Sequence, residues 1–208
     1  MVVASTDIDE PTDRAVRPTG PRAEAREQAI LDAALELIGE VGYDRLSMDA
    51  LAERAHAGKA TIYRRWTGKA QVVTEAIRRR KSAHEIDPDT GSLRGDLLGA
   101  LSRTCASLSL DEAIVAGVMS AMRTDPELAA LMRTQVINAE GKFDVIIERA
   151  VTRGELPHGA TADPINEVGP AVVMMRLVFR GEPLDDAFTI RLVDDILIPI
   201  LLHTRPST

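Results

Sequence analysis

The sequence predicts an all-α protein of about nine helices, and three observations carry that expectation. Apolar residues recur at three- and four-residue steps along most of the 208-residue chain. No segment alternates apolar and polar residues as a half-buried strand would. The apolar share is 45%, drawn largely from Ala, Leu, Val and Ile, while aromatics are only 3%, a balance that suits helices better than a β-sandwich.

Residues 1–21 mix Pro11, Pro18 and Pro21 with polar residues and show no period, so a flexible arm is expected. A first helix follows from Arg22, with Ile30, Ala33, Ala34, Leu37, Ile38 and Val41 on one stripe and Gly42 as its stop. Ser47 can cap a second, short helix over Met48–Ala55. Gly58 sits in the turn, and a third short helix spans Lys59–Trp66, burying Ile62 and Trp66. A fourth runs from Lys69 to about Lys81. Residues 84–92 read as a linker. Beyond it helices are expected over 93–108, 111–123, 126–153, 163–180 and 185–203. Gly141 is a weak point in the third of these, and Pro170 and Pro199 should disturb the last two. The domains expected are the arm (1–21), a helix-turn-helix unit (22–82) and a helical body (83–208).

The net charge of −7 seems at first to speak against nucleic acid. Resolved along the chain it does not. Residues 45–81 hold ten Lys/Arg against three Asp/Glu, whereas residues 83–208 hold eleven against nineteen. A basic head is joined to an acidic body. Cys105 is the only cysteine and the four histidines are scattered, so no disulfide, metal site or cofactor is expected. The N-terminal residues show no signal-peptide pattern and no apolar run is long enough to span a membrane, so a cytoplasmic protein is expected. No nucleophile elbow, P-loop or HExxH motif is present, and no enzyme is expected.

One full helix followed by two very short ones around a Gly-containing turn is a helix-turn-helix layout. In KATIYRRW the inward pair Ile62 and Trp66 leaves Lys59, Ala60, Thr61, Arg64 and Arg65 on other faces, with Tyr63 at the margin. Small residues allow close approach to a major groove. Thr61 and Arg64 can address base edges, and Tyr63, Arg65 and Lys69 are placed for phosphates.

These residues carry a resemblance. The segment LSMDALAERAHAGKATIYRRWTGKAQVV resembles the signature of the TetR family of bacterial transcriptional regulators, including the Tyr63–Trp66 spacing and Lys69. The resemblance covers residues 22–75. It implies DNA-contacting roles for Lys59, Ala60, Thr61, Tyr63, Arg64, Arg65 and Lys69, with Ser47 and Arg45 beside them. It also implies a homodimer on a palindromic operator, acting as a repressor and released by a small molecule. The turn departs from the family's usual Gly-Val-Ser: it reads His56-Ala57-Gly58, which predicts a looser turn and removes one phosphate contact. The stretch from Met174 to Leu201 resembles C-terminal domains of some members.

Two features of the body bear on partners. Cys105, Met119, Met122, Phe143 and Met175 are candidates to line an apolar effector pocket, although core filling is the plainer use of such residues. The last two helices carry wide apolar faces, and Val172, Phe179, Val193, Leu197 and Leu201 are candidates for a dimer interface. Burial within a larger monomeric bundle is the alternative. Arg14, Arg17 and Arg22 would suit a minor groove, but a disordered tail explains them as well. The competing functional reading is a helix-turn-helix regulator governed by a protein partner or by oxidation of Cys105 instead of a small ligand.

Overall fold

The computed structural model describes residues 20–83, 88–137 and 143–203. Arg14 and Arg17 of the expected arm, and Gly141, lie outside them. The described residues form ten helices and no strand. They are α1 (Pro21–Val41), α2 (Met48–Arg54), α3 (Lys59–Tyr63), α4 (Lys69–Ala83), α5 (Leu93–Leu110), α6 (Glu112–Ala121), α7 (Pro126–Ile137) and α8 (Asp144–Thr152). Helix α9 covers Asp163–Met174 and continues as a wider π-helical turn over Met175–Arg180. Helix α10 runs as Asp186–Arg191, a π-helical stretch Leu192–Leu197, and Ile198–His203.

Local chemistry explains most boundaries. Pro21 occupies the first turn of α1, where its missing N–H costs nothing. Gly42 ends α1 at φ 80°, a conformation a side chain would resist. Ser47, Ser92 and Asp185 each accept a backbone N–H at the start of a helix, from Ala50, Gly95 and Phe188.

One expectation changes in detail. The segment expected as one helix over 126–153 holds two, α7 and α8, so the described residues form ten helices where about nine were expected. The Asp111 carboxylate pairs with Arg80 of α4 at 2.7 Å. Pro170 lies inside α9, which changes to the wider π-helical turn at Met175.

The helices bury two apolar clusters. The first is built on α1, α2, α3 and α4, with Ile30, Leu31, Ile38, Leu51, Ile62 and Val72 almost fully buried. It does not stop at the linker. Val118 and Ala121 of α6 and Leu128 of α7 belong to the same cluster. Helix α6 packs on α1, and α7 packs on α4. Packing therefore continues across residue 82. The second cluster joins α5, α8, α9 and α10.

The described end of the linker, residues 88–92, is bonded to the body through Thr90. Asp96 of α5 is fully buried and accepts the Thr90 N–H (2.6 Å), the Thr90 hydroxyl (2.7 Å) and Arg153 just after α8 (3.1 Å). Burial alone would raise its pKa; these donors outweigh burial and hold it below the ordinary carboxylate range. Gly95 and Gly99 make room for this arrangement. A Cβ on Gly95 would overlap the Thr90 side chain, and one on Gly99 would approach the Pro88 Cβ to 2.9 Å.

Candidate nucleic-acid interface

Helix α3 has five residues and could not stand alone. Ile62 is fully buried and Trp66, one turn later, is 5% exposed. These two side chains anchor the segment on the first cluster. Gly58 begins it, its carbonyl accepting the N–H groups of Thr61 (2.8 Å) and Ile62 (3.3 Å). Trp66 N–H donates to Ile62 at 3.0 Å, so one further turn of helical bonding brings Trp66 inward.

The turn before α3 is well bonded and not loose. His56 adopts φ 48°, in the left-handed region. Its N–H donates to Glu53 (3.2 Å), and the Ala57 N–H donates to Ala52 (2.9 Å). This pair of bonds is the Schellman ending of a helix, a position glycine fills at no steric cost. Here a histidine fills it under strain, exposed and without apolar burial. The backbone path expected of a helix-turn-helix is kept.

The predicted contact residues divide into two groups. Ala60, Tyr63 and Arg64 are exposed and Thr61 is half-buried, all on or next to α3. Arg64 makes no ion pair among the described residues, so its guanidinium is available. Lys59 pairs with Asp49 at 2.7 Å, but both side chains are well exposed, and a phosphate could replace the carboxylate.

The other group is engaged by the protein itself. Ser47 Oγ accepts the Ala50 N–H at 3.1 Å as the α2 cap. Arg45 Nε donates to the Val41 carbonyl at 2.8 Å. Lys69 Nζ donates to the carbonyls of Tyr43 (3.0 Å) and Asp44 (3.3 Å) and lies 4.4 Å from the centroid of the Tyr43 ring. Arg65 turns inward to Glu27 of α1 at 2.5 Å and lies 5.7 Å from the centroid of the Trp66 ring. The expected row of phosphate-binding cations is thus partly the head's own bracing.

Tyr43 connects this head to the body. Its ring is 2% exposed and its hydroxyl donates to Asp125 Oδ2 at 2.6 Å. Asp125 Oδ1 in turn accepts the Leu128 N–H at 3.0 Å, capping α7. Burial, then the Asp125 carboxylate, push the Tyr43 phenol well above its ordinary pKa. The Leu128 N–H and the Tyr43 hydroxyl hold Asp125 below the usual carboxylate range. Sequence reading missed this link because its partners are 82 residues apart.

In the body, the candidate pocket residues are spread over both apolar clusters and the surface. Cys105 is 1% exposed inside the second cluster, and burial pushes its thiol pKa up. Phe143 packs against that cluster, Met122 packs against the first, and Met119 is exposed on α6. Met175 alone of the five lines a surface groove of about 560 Å³ between α9 and α10, with Val168, Val172, Arg176, Arg180 and Phe188.

The interface candidates divide likewise. Val193, Leu197 and Leu201 are at most 1% exposed, because these four-residue steps face the chain's own second cluster. The expectation that they meet a partner is therefore corrected. Phe179 is 72% exposed and Val172 half-buried. Ile190 and Leu202 of α10, which sequence reading did not single out, are also exposed.

Among the described residues no group of three His, Cys, Asp or Glu side chains is placed to hold a metal ion. No single helix there is long and apolar enough to cross a membrane.

Comparison with known proteins agrees with this geometry. Residues 30–76 match the family of bacterial regulatory proteins of the tetR family, and residues 87–196 match the tetracyclin repressor-like C-terminal domain. A DNA-binding transcriptional repressor TetR of Mycobacteroides abscessus is 38% identical over 185 residues, covering 86% of this chain and 96% of the relative. An uncharacterized HTH-type transcriptional regulator of Mycobacterium tuberculosis is 34% identical over 206 residues, covering 98% and 99%. Among solved structures, a TetR-family regulator from Rhodococcus sp. superposes with a TM-score of 0.70 at 16% identity, covering 86% of this chain and 99% of that one. The SmeT–triclosan complex superposes with a TM-score of 0.63 at 20% identity, covering 88% and 96%. With a helix-turn-helix head whose α3 is held by Ile62 and Trp66, and with both family matches across its length, the chain belongs to the TetR family of DNA-binding transcriptional regulators.

Proposed function

We propose that the protein is a dimeric repressor that reads a palindromic operator with α3 of each subunit. The observation that carries this reading is the availability of Arg64. It is exposed, free of ion pairs among the described residues, and rigidly placed two residues from the fully buried Ile62. A guanidinium so placed can form the bidentate contact to guanine that the major groove offers. Thr61 and Tyr63 flank it, and Lys59 can exchange Asp49 for a phosphate.

Dimerisation is supported by exposed apolar side chains on the last two helices, Met175, Phe179, Ile190 and Leu202. The half-sites would lie about one DNA turn, or a multiple, apart. Release by a small molecule is supported by the apolar groove beside Met175, of a size that suits a ligand, and by the triclosan bound to one structural neighbour. Oxidation of Cys105 has less support, since the thiol is buried and its pKa raised.

The test is a titration of DNA selected by the wild-type protein from a pool of random duplexes. Arg64→Ala should lose roughly 1–3 kcal/mol of specific affinity per half-site and relax preference at one base pair. An unchanged preference would refute base reading by Arg64.

A further inference from the structure

Glu27 is an unusual residue for its position. It lies on α1, away from the turn and the reading helix, yet its side chain is only 7% exposed. One carboxylate oxygen, Oε1, accepts two guanidinium groups. Arg65, immediately after the reading helix, approaches it at 2.5 Å, and Arg79 of α4 donates to the same oxygen. Arg79 is shared with Glu75, 3.0 Å away on its own helix, and Glu75 also holds Arg78 at 2.7 Å. The Arg65 guanidinium lies near the Trp66 ring as well. Arg65, Arg79 and Glu27 therefore form one part-buried unit spanning α1, the end of α3, and α4.

We propose that Glu27 is a specificity-determining residue of the DNA-binding head. It withholds Arg65 from the DNA backbone, so that this cation does not add sequence-independent grip. The inference rests on the DNA-binding reading above and replaces one of its expected phosphate contacts. The physical contrast is with Lys59. Its partner Asp49 is 69% exposed, so water or phosphate can replace either member of that pair. Arg65 is itself 40% exposed, but withdrawing it would leave the buried Glu27 carboxylate with one counter-charge fewer, which is costly. A phosphate approached from solvent offers a weaker, screened attraction. An additional free arginine would strengthen binding to every sequence alike, because phosphate contacts carry no base information.

The experiment measures the salt dependence of affinity for a duplex of unrelated sequence and for the selected duplex. It compares wild type, Arg65→Gln, Glu27→Gln and the double variant. Arg65→Gln should leave the slope of log K against log[salt] on the unrelated duplex unchanged. Glu27→Gln should steepen it by about 0.9 per subunit, which is one newly engaged phosphate. It should also narrow the ratio of specific to non-specific affinity. Adding Arg65→Gln to Glu27→Gln should restore the wild-type slope. A merely structural role for Glu27 would not produce that restoration.

A slope flattened by about 0.9 in Arg65→Gln alone would overturn the proposal, since Arg65 would then already hold a phosphate. A normally folded Glu27→Gln with an unchanged slope would overturn it too. If Glu27→Gln does not fold, the Arg65→Gln measurement still decides. Loss of binding in Arg64→Ala with no change in Arg65→Gln would show that the DNA-binding reading stands apart from this one.

Discussion

Tyr43→Phe removes one oxygen and tests the link between head and body. The ring is buried and stays in place, so no cavity term enters. What is lost is a 2.6 Å hydrogen bond to the Asp125 carboxylate. Hydrogen bonds to charged groups contribute about 1.5–3 kcal/mol. Asp125 keeps the Leu128 N–H and is partly open to water, so it is not stranded. The lower end applies, about 1.5 kcal/mol, or a fall of roughly 3–6 °C in melting temperature for a chain of this size.

The pH dependence has a definite sign. Asp125 has a folded-state pKa below its unfolded value, so its contribution is present above that unfolded value and lost as pH falls through the folded one. The Tyr43 phenol is shifted the other way, so its contribution is full below about pH 10 and declines as pH rises further. The assay is a comparison of wild type and Tyr43→Phe by denaturant melts at one protein concentration, at pH 7 and near pH 3. The difference should be clear at neutral pH and shrink in acid. A difference below about 0.5 kcal/mol at pH 7, or one that persists undiminished in acid, would refute the link as described.

Three further outcomes are expected. His56→Gly should stabilise the protein by about 0.5 kcal/mol in melts, because the left-handed strain at φ 48° disappears while glycine's extra chain entropy offsets part of the gain. Gly95→Ala should destabilise by roughly 2–4 kcal/mol, because the new methyl displaces Thr90 and strips the buried Asp96 of two donors; a near-neutral melt would contradict that packing. Lys69→Ala should cost on the order of 1 kcal/mol of stability even without DNA, since Lys69 Nζ ties the carbonyls of Tyr43 and Asp44. A variant as stable as wild type would mean that this lysine braces nothing.

Much of the helical plan was legible along the chain. The stripe Ile30–Ile38, the cap at Ser47 and the Ile62–Trp66 pair all act within one or two turns, so spacing reveals them. That 126–153 would hold two helices, α7 and α8, was not legible along the chain. The wide apolar face of α10 was seen, but not what covers it. Whether Val193 and Leu197 meet α5 and α9 or another chain depends on where those helices lie.

By itself, the sequence determined the class of the protein: helical segments, a basic head on an acidic body, and the residue types a reading helix needs. Periodicity, capping and local charge are short-range properties, and the chain order contains them. Tertiary structure alone decided which cations are free. Arg64 and Arg65 are exposed neighbours with the same chemistry, yet one makes no ion pair among the described residues and the other is held by Glu27, 38 positions earlier in the chain. Ion pairs and burial depend on which distant side chains the fold brings within a few ångströms, and no local pattern records that distance.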